Sequence, residues 1–149
     1  MYTTNDDRDL LDLYIAELRS EPVLNAQQQK ELARVMRAAK TDDAREHARS
    51  ELIRANLRFA FSVAKQYQNR GVPLGDLVSE ANAGLVRAAD KYDPDVGVNF
   101  ISYAVWWIRQ QILQSLAEQA RIVRLPLNKI GSINRINKAF ARSRRLTLT

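Results

Sequence analysis

Residues 99–119 read Asn-Phe-Ile-Ser-Tyr-Ala-Val-Trp-Trp-Ile-Arg-Gln-Gln-Ile-Leu-Gln-Ser-Leu-Ala-Glu-Gln, and their spacing predicts one long helix. Ile101, Val105, Ile108, Ile112 and Leu116 recur at steps of four, three, four and four, which stacks them on one side at helical period. That side is expected to face a core. Tyr103, Trp107, Gln110 and Gln114 follow the same steps two residues out of phase. At about 100° per residue they are rotated by roughly 200°, toward solvent, with Trp106 on their flank and Phe100 one turn upstream. An aromatic row at helical spacing is ordinarily core. The glutamines and Arg109 that continue this one suit a surface that stacks unpaired bases and reaches base edges and phosphates.

Charge points the same way. From Val105 to the last residue there are nine basic side chains and one acidic one, Glu118, a net charge of +8. The first fifty residues hold eight basic and ten acidic side chains, and the stretch between holds six of each. A cationic end beside an aromatic row fits an anionic partner, nucleic acid before others.

At 149 residues and 46% hydrophobic, the chain is long enough to bury one core, with room for a helical appendage. It has no cysteine, so disulfide and thiolate chemistry are excluded, and no apolar run approaches the ~20 residues of a membrane span. The first residues lack a basic head followed by an apolar stretch, which predicts a cytoplasmic location. Sustained period-two alternation is absent, so the expected class is all-α: a multi-helix domain with one long organising helix, short helical extensions and no sheet. Helices are expected over residues 6–19, 26–40 and 74–92, capped by Asn25 for the second, and over about 128–144. Thr41 is expected to cap a long helix over 42–68, ended by Gly71. The expected apolar sides use Leu10 or Leu11, Tyr14, Ile15 and Leu18 in the first helix and Leu32, Val35 and Met36 in the second.

Enzymatic chemistry finds little support. The single histidine, His47, lies on a polar helical stretch, and no glycine-rich phosphate loop is present. Asp93-Pro94-Asp95-Val96-Gly97 places its glycine one position too early for a calcium loop, and Ala104 stands where a bidentate glutamate is needed. No metal, no cofactor and no catalytic residue is expected.

Several motifs, in order, carry a family resemblance. They are Asn56-Leu57-Arg58, Val63-Ala64-Lys65-Gln66-Tyr67, Asp76-Leu77-Val78-Ser79-Glu80-Ala81-Asn82, Tyr103-Ala104-Val105-Trp106-Trp107-Ile108-Arg109-Gln110 and Ala120-Arg121-Ile122-Val123-Arg124-Leu125-Pro126. From about residue 9 to about residue 140 the chain resembles bacterial sigma factors of the primary, sigma-70 type. The resemblance implies a transcription initiation factor that binds RNA polymerase core and recognises and melts the minus-ten promoter element. It implies three parts: 1–48, first conserved helices packing on the centre; 49–121, the core-binding and minus-ten domain; and 122–149, the start of a third region. It includes no counterpart of the domain that reads the minus-thirty-five element.

Carried over by position, Asp76, Ser79, Glu80 and Asn82 would meet the coiled coil of the polymerase beta-prime clamp. Asn56, Arg58, Tyr92, Phe100, Tyr103, Trp106 and Trp107 would hold the melted non-template strand, with a flipped adenine against Tyr103 and the tryptophans as a wedge. Arg109, Gln110, Leu113 and Gln114 would face the upstream base pair. Arg121, Arg124, Lys129 and Arg135 would touch duplex phosphates. An anti-sigma factor is a further partner the family allows, and a membrane is not. The chain departs from the family pattern at Ser79, where glutamine is usual, and at Val96, Val98 and Asn99, where many members have arginine, an aromatic and lysine. It departs again at Leu113 and Gln114, where threonine and arginine are common. The lost loop residues leave open a helical interaction module that no longer opens DNA, and a general single-strand binder is a third reading.

Overall fold

The structure is a computed structural model and describes residues 5–122, with side chains from 8 to 119. Six α-helices follow one another: α1 (Asn5–Ser20), α2 (Ala26–Ala38), α3 (Asp42–Arg54), α4 (Leu57–Lys65), α5 (Leu74–Lys91) and α6 (Phe100–Ile122). A short 3-10 turn (Pro94–Val96) joins the last two, and the described residues contain no strand. The all-α expectation holds. The expected helix near 128–144, and the side chains of Arg121, Arg124, Lys129 and Arg135, lie outside the described residues.

The helix starts follow from their caps. Asn25 accepts from the Gln28 backbone N–H at 2.8 Å while the Gln28 side chain accepts from the Asn25 N–H at 2.9 Å, a reciprocal capping box that opens α2. Thr41 accepts from the Ala44 N–H at 3.2 Å, and Asp42 and Asp43 set negative charge at the positive end of α3.

The helix expected over 42–68 is two helices. Asn56 turns its amide back on the chain and donates to the carbonyl of Leu52 at 2.8 Å, taking the partner that a continuing helical N–H would use. The same amide donates to Oε1 of Gln29 on α2 at 3.2 Å, and Gln29 in turn donates to the carbonyl of Leu24 at 2.9 Å. Both side chains are buried, so this amide pair locks α2 against the break between α3 and α4. Helix α4 then stops at Lys65, earlier than expected, and the turns that follow place Asn69 as well as Gly71 at positive φ.

The most extensive helix contact is between α5 and α6. Tyr92 meets Phe100, Gly84 meets the backbone at Trp107 and Ile108, and Glu80 meets Gln111, so the two run antiparallel. From α6 the fully buried side chains are Phe100, Ala104, Ile108 and Ile112, and from α5 they include Leu77, Ala81, Leu85 and Ala88. Burying each large aliphatic among them contributes about 1.5–3 kcal/mol. The buried row of α6 is therefore one residue away from the expected one at its start. Ile101 is 40% exposed and Val105 and Leu116 sit at the edge of the core. Gly84 and the alanines of α5 let the two backbones approach closely, and close approach suits Ala104 better than Val105.

Smaller corrections have the same origin. In α2 the buried positions are Gln29, Ala33 and Met36, while Val35 is exposed. In α1 it is Leu11 that turns toward the core, with Leu10 outside.

Candidate nucleic-acid interface

The residues singled out for melted DNA form a chain of rings that climbs from the core to the surface. Phe100 stands edge-on to Tyr92 at 5.2 Å between centroids, Tyr92 lies 5.5 Å from Tyr103, Tyr103 lies 6.3 Å from Trp107, and Trp107 stands edge-on to Trp106 at 5.1 Å. Such offset and edge contacts are worth about 0.5–1.5 kcal/mol per pair beyond their buried area. Phe100 and Tyr92 are buried, while Tyr103, Trp106 and Trp107 are half-buried. The row was expected to lie fully at solvent. It lies on the boundary instead, because α5 covers one side of it.

Burial changes what several of these side chains can do directly. Phe100 is core. Tyr92 donates its hydroxyl to the carbonyl of Val98, fastening the far end of the loop. Burial pushes the Tyr92 phenol above the ordinary tyrosine value, with the charge of Arg34 opposing that shift and Asp93 adding to it. A raised folded value means a contribution to stability that is complete below the unfolded value of about 10 and lost as pH rises through the folded one. Tyr92→Phe is therefore expected to make the loss of stability above about pH 10 shallower, read as the pH dependence of the urea midpoint.

The loop over 93–98 is held from both sides. Asp93 accepts from the Asp95 backbone N–H at 2.9 Å, Gly97 takes φ of 85°, and α2 supplies Arg37 to Asp93 at 3.5 Å and Arg34 to Asp95 at 3.8 Å. Val96, Val98 and Ile101 are exposed next to this anchored turn. Lys91, absent from the sequence expectations, holds its ammonium 5.7 Å from the Trp107 ring centre, and Tyr103 donates to its carbonyl at 3.4 Å. A cation three residues before the 3-10 turn could have flagged it. Arg58 and Arg109 are exposed, and Gln110, Leu113 and Gln114 are half-buried, with Gln114 donating to Glu118 at 3.3 Å.

Of the face at the other end of α5, Asp76 and Ser79 are exposed. Glu80 and Asn82 are engaged inside the protein. Glu80 accepts from Gln111 of α6 at 2.7 Å, and Asn82 donates to the Tyr14 hydroxyl of α1 at 3.1 Å. Asn56 is buried as described above. Gln29, Gln111 and Tyr14 thus position residues of the expected site without having been expected themselves. Among the described residues no group of three or more His, Cys, Asp or Glu could hold a metal, and no helix is long and apolar enough to cross a membrane.

Comparison with known proteins bears on this arrangement. Sigma-70 region 2 matches residues 52–122, which takes in the α3–α4 break, all of α5 and α6 and every described ring of the aromatic row. The chain belongs to the bacterial sigma-70 family. It is 39% identical to the RNA polymerase principal sigma factor HrdD of Streptomyces viridifaciens, over 91% of this chain and 49% of that protein. With the protein of the same name from Streptomyces coelicolor identity is 37% over the same shares. With the RNA polymerase sigma factor RpoS of Coxiella burnetii it is 43%, over 85% of this chain and 34% of that protein. The chain spans about half the length of the HrdD relatives it matches.

Proposed function

We propose that this chain acts in the cytoplasm as the part of a transcription initiation factor that binds RNA polymerase core and opens the minus-ten promoter element. The observation that carries this reading is the row of rings on α6, rooted in the core at Phe100 and ending at the surface in Tyr103, Trp107 and Trp106. Taking a base out of the duplex costs a few kcal/mol, and stacking on an aromatic ring returns about 1–3 kcal/mol per base. Three surface rings held by packing can offset that cost without first being ordered. Lys91, Arg58 and Arg109 supply cations beside them, and Arg121, Arg124, Lys129 and Arg135 extend the phosphate contacts. Phe100 and Tyr92 support the surface from below, and Asn56 acts by joining α2 to the break between α3 and α4. Gln110, Leu113 and Gln114 face the upstream pair.

The deciding experiment combines the full chain with core polymerase and forked DNA whose minus-ten element is single-stranded. Expected is tight binding to the fork and weak binding when that element is scrambled. Equal binding to any single strand would make the chain a general single-strand binder. Core binding without fork binding would make it an interaction module.

In this reading the clamp coiled coil of the polymerase meets Asp76 and Ser79. Asp76→Lys is expected to weaken core binding several-fold, most at low salt, with an unchanged melting temperature, because an exposed carboxylate acts through long-range attraction. Glu80→Ala differs. It strands the Gln111 amide and is expected to cost about 1–3 kcal/mol of stability, read as a fall in melting temperature.

A further inference from the structure

Between α1 and the first turns of α5 lies an open groove of about 490 Å³. Leu10, Leu11 and Tyr14 form one wall, Val78 and Ser79 the other, and Asn82 closes the end, with Asp76 at the rim. Its existence follows from how α1 is attached. Leu18 is buried and Tyr14 packs against Phe61 at 6.2 Å between centroids, so the second half of α1 is pinned. Its first half shares the lining of the groove with Gly75 and Ser79, which present little or no side chain to fill it. Leucines opposite small residues leave apolar surface that nothing in the described chain covers. Leu10 is 64% exposed. At the closed end Asn82 gives its amide N–H to Tyr14, and its Oδ1 is buried with no partner.

The surroundings of this groove select its occupant. The described side chains of helix α1 include Asp9, Asp12 and Glu17 against Arg8 and Arg19, and Asp76 adds a further carboxylate. Nucleic acid would be repelled by that field, while cations would be drawn to it. We propose that the groove belongs to the polymerase-docking surface and takes an apolar side chain from a basic amphipathic helix of the core enzyme, with α1 as one wall of the contact. This rests on the docking of Asp76 and Ser79 proposed above and is continuous with it. It gives α1 a direct part in holding the polymerase, which none of the side chains placed in that contact from sequence suggested.

Leu13 provides the control, since it is 63% exposed on the same helix and does not line the groove. In titrations of the labelled full chain with core polymerase, Leu10→Lys is expected to weaken binding about tenfold, as for an anchor in an apolar pocket, while Leu10→Met and Leu13→Lys bind like the parent. The chain has no cysteine, so Leu10→Cys and Leu13→Cys each introduce a single thiol. Core polymerase is expected to protect the first from a maleimide probe and to leave the second at its free rate, a readout that does not depend on affinity. If Leu10→Lys binds normally while Asp76→Lys does not, the groove is no part of the contact and the docking reading survives. Equal weakening by Leu10→Lys and Leu13→Lys, or equal thiol rates with and without polymerase, would likewise overturn the groove. If neither Leu10→Lys nor Asp76→Lys changes binding, the docking face itself is elsewhere.

Discussion

Gly84→Ala is expected to lower the melting temperature by roughly 5 °C and to disturb promoter opening even where the protein remains folded. A Cβ at position 84 would stand 2.7 Å from the Cα of Ile108, 2.7 Å from the carbonyl oxygen of Trp107 and 3.0 Å from the Ile108 nitrogen. All three are backbone atoms, so no rotamer change relieves the contact and α5 must separate from α6. Overpacking of this kind costs about 1–3 kcal/mol, occasionally more. The gain in helix propensity from glycine to alanine, about 0.8–1 kcal/mol, offsets only part of it. Separation would also shift Trp107, whose ring lies on the neighbouring turn, and with it the row of aromatics. Gly75→Ala makes the comparison sharp. Its Cβ would meet nothing within 4 Å, so the propensity term acts alone and stability should rise slightly. Thermal melts of the two variants with opposite signs would locate the effect in the α5–α6 contact, and an unchanged melting temperature for Gly84→Ala would refute close approach there.

Gly84 also explains where the reading of the chain succeeded and where it slipped. The long helix over 99–119 was legible because apolar residues repeat at helical spacing through it. Its buried row was not. Ile101 with Val105 and Phe100 with Ala104 both satisfy the same period, and the choice between them was made by a glycine on another helix. A glycine in the middle of an otherwise good helix is the one local sign of such close packing. The division at Asn56 was hidden for a similar reason: the apolar pattern passes straight through it, and the partner that fixes the amide, Gln29, lies 27 residues earlier. At the candidate site, residue types were readable and depths were not. Asp76 and Glu80 look equivalent on a helix, four residues apart, yet only Asp76 is free of the Gln111 contact that engages Glu80. Tyr92 and Phe100 look like two more stacking rings, and they are buried because α5 turns over them.

The two tryptophans are expected to separate in the same way, since their surroundings differ although they are adjacent. Trp107 packs against the hydrophobic core, with Lys91 over its ring and its Nε1 buried, while Trp106 is half-buried and stands edge-on to Trp107. Trp107→Ala should therefore cost more stability than Trp106→Ala, up to the about 3–5 kcal/mol of a full core truncation, a large share of the ~5–15 kcal/mol that stabilises a domain. Trp106→Ala should cost much less, and its main loss should fall on the melted promoter. Stacking worth about 1–3 kcal/mol corresponds to roughly fivefold to 150-fold in the population of open complex. Trp107→Phe tests the division from the other side. It keeps a ring in the packing and removes an N–H that has no hydrogen-bond partner, so the desolvation cost of that donor disappears and stability should stay close to the parent's. The measurements are thermal melts beside permanganate footprinting of promoter complexes with core polymerase, at a temperature where each variant is folded. Normal opening by Trp106→Ala would remove it from the stacking surface, and a parent-like melting temperature for Trp107→Ala would show that its ring is not part of the core.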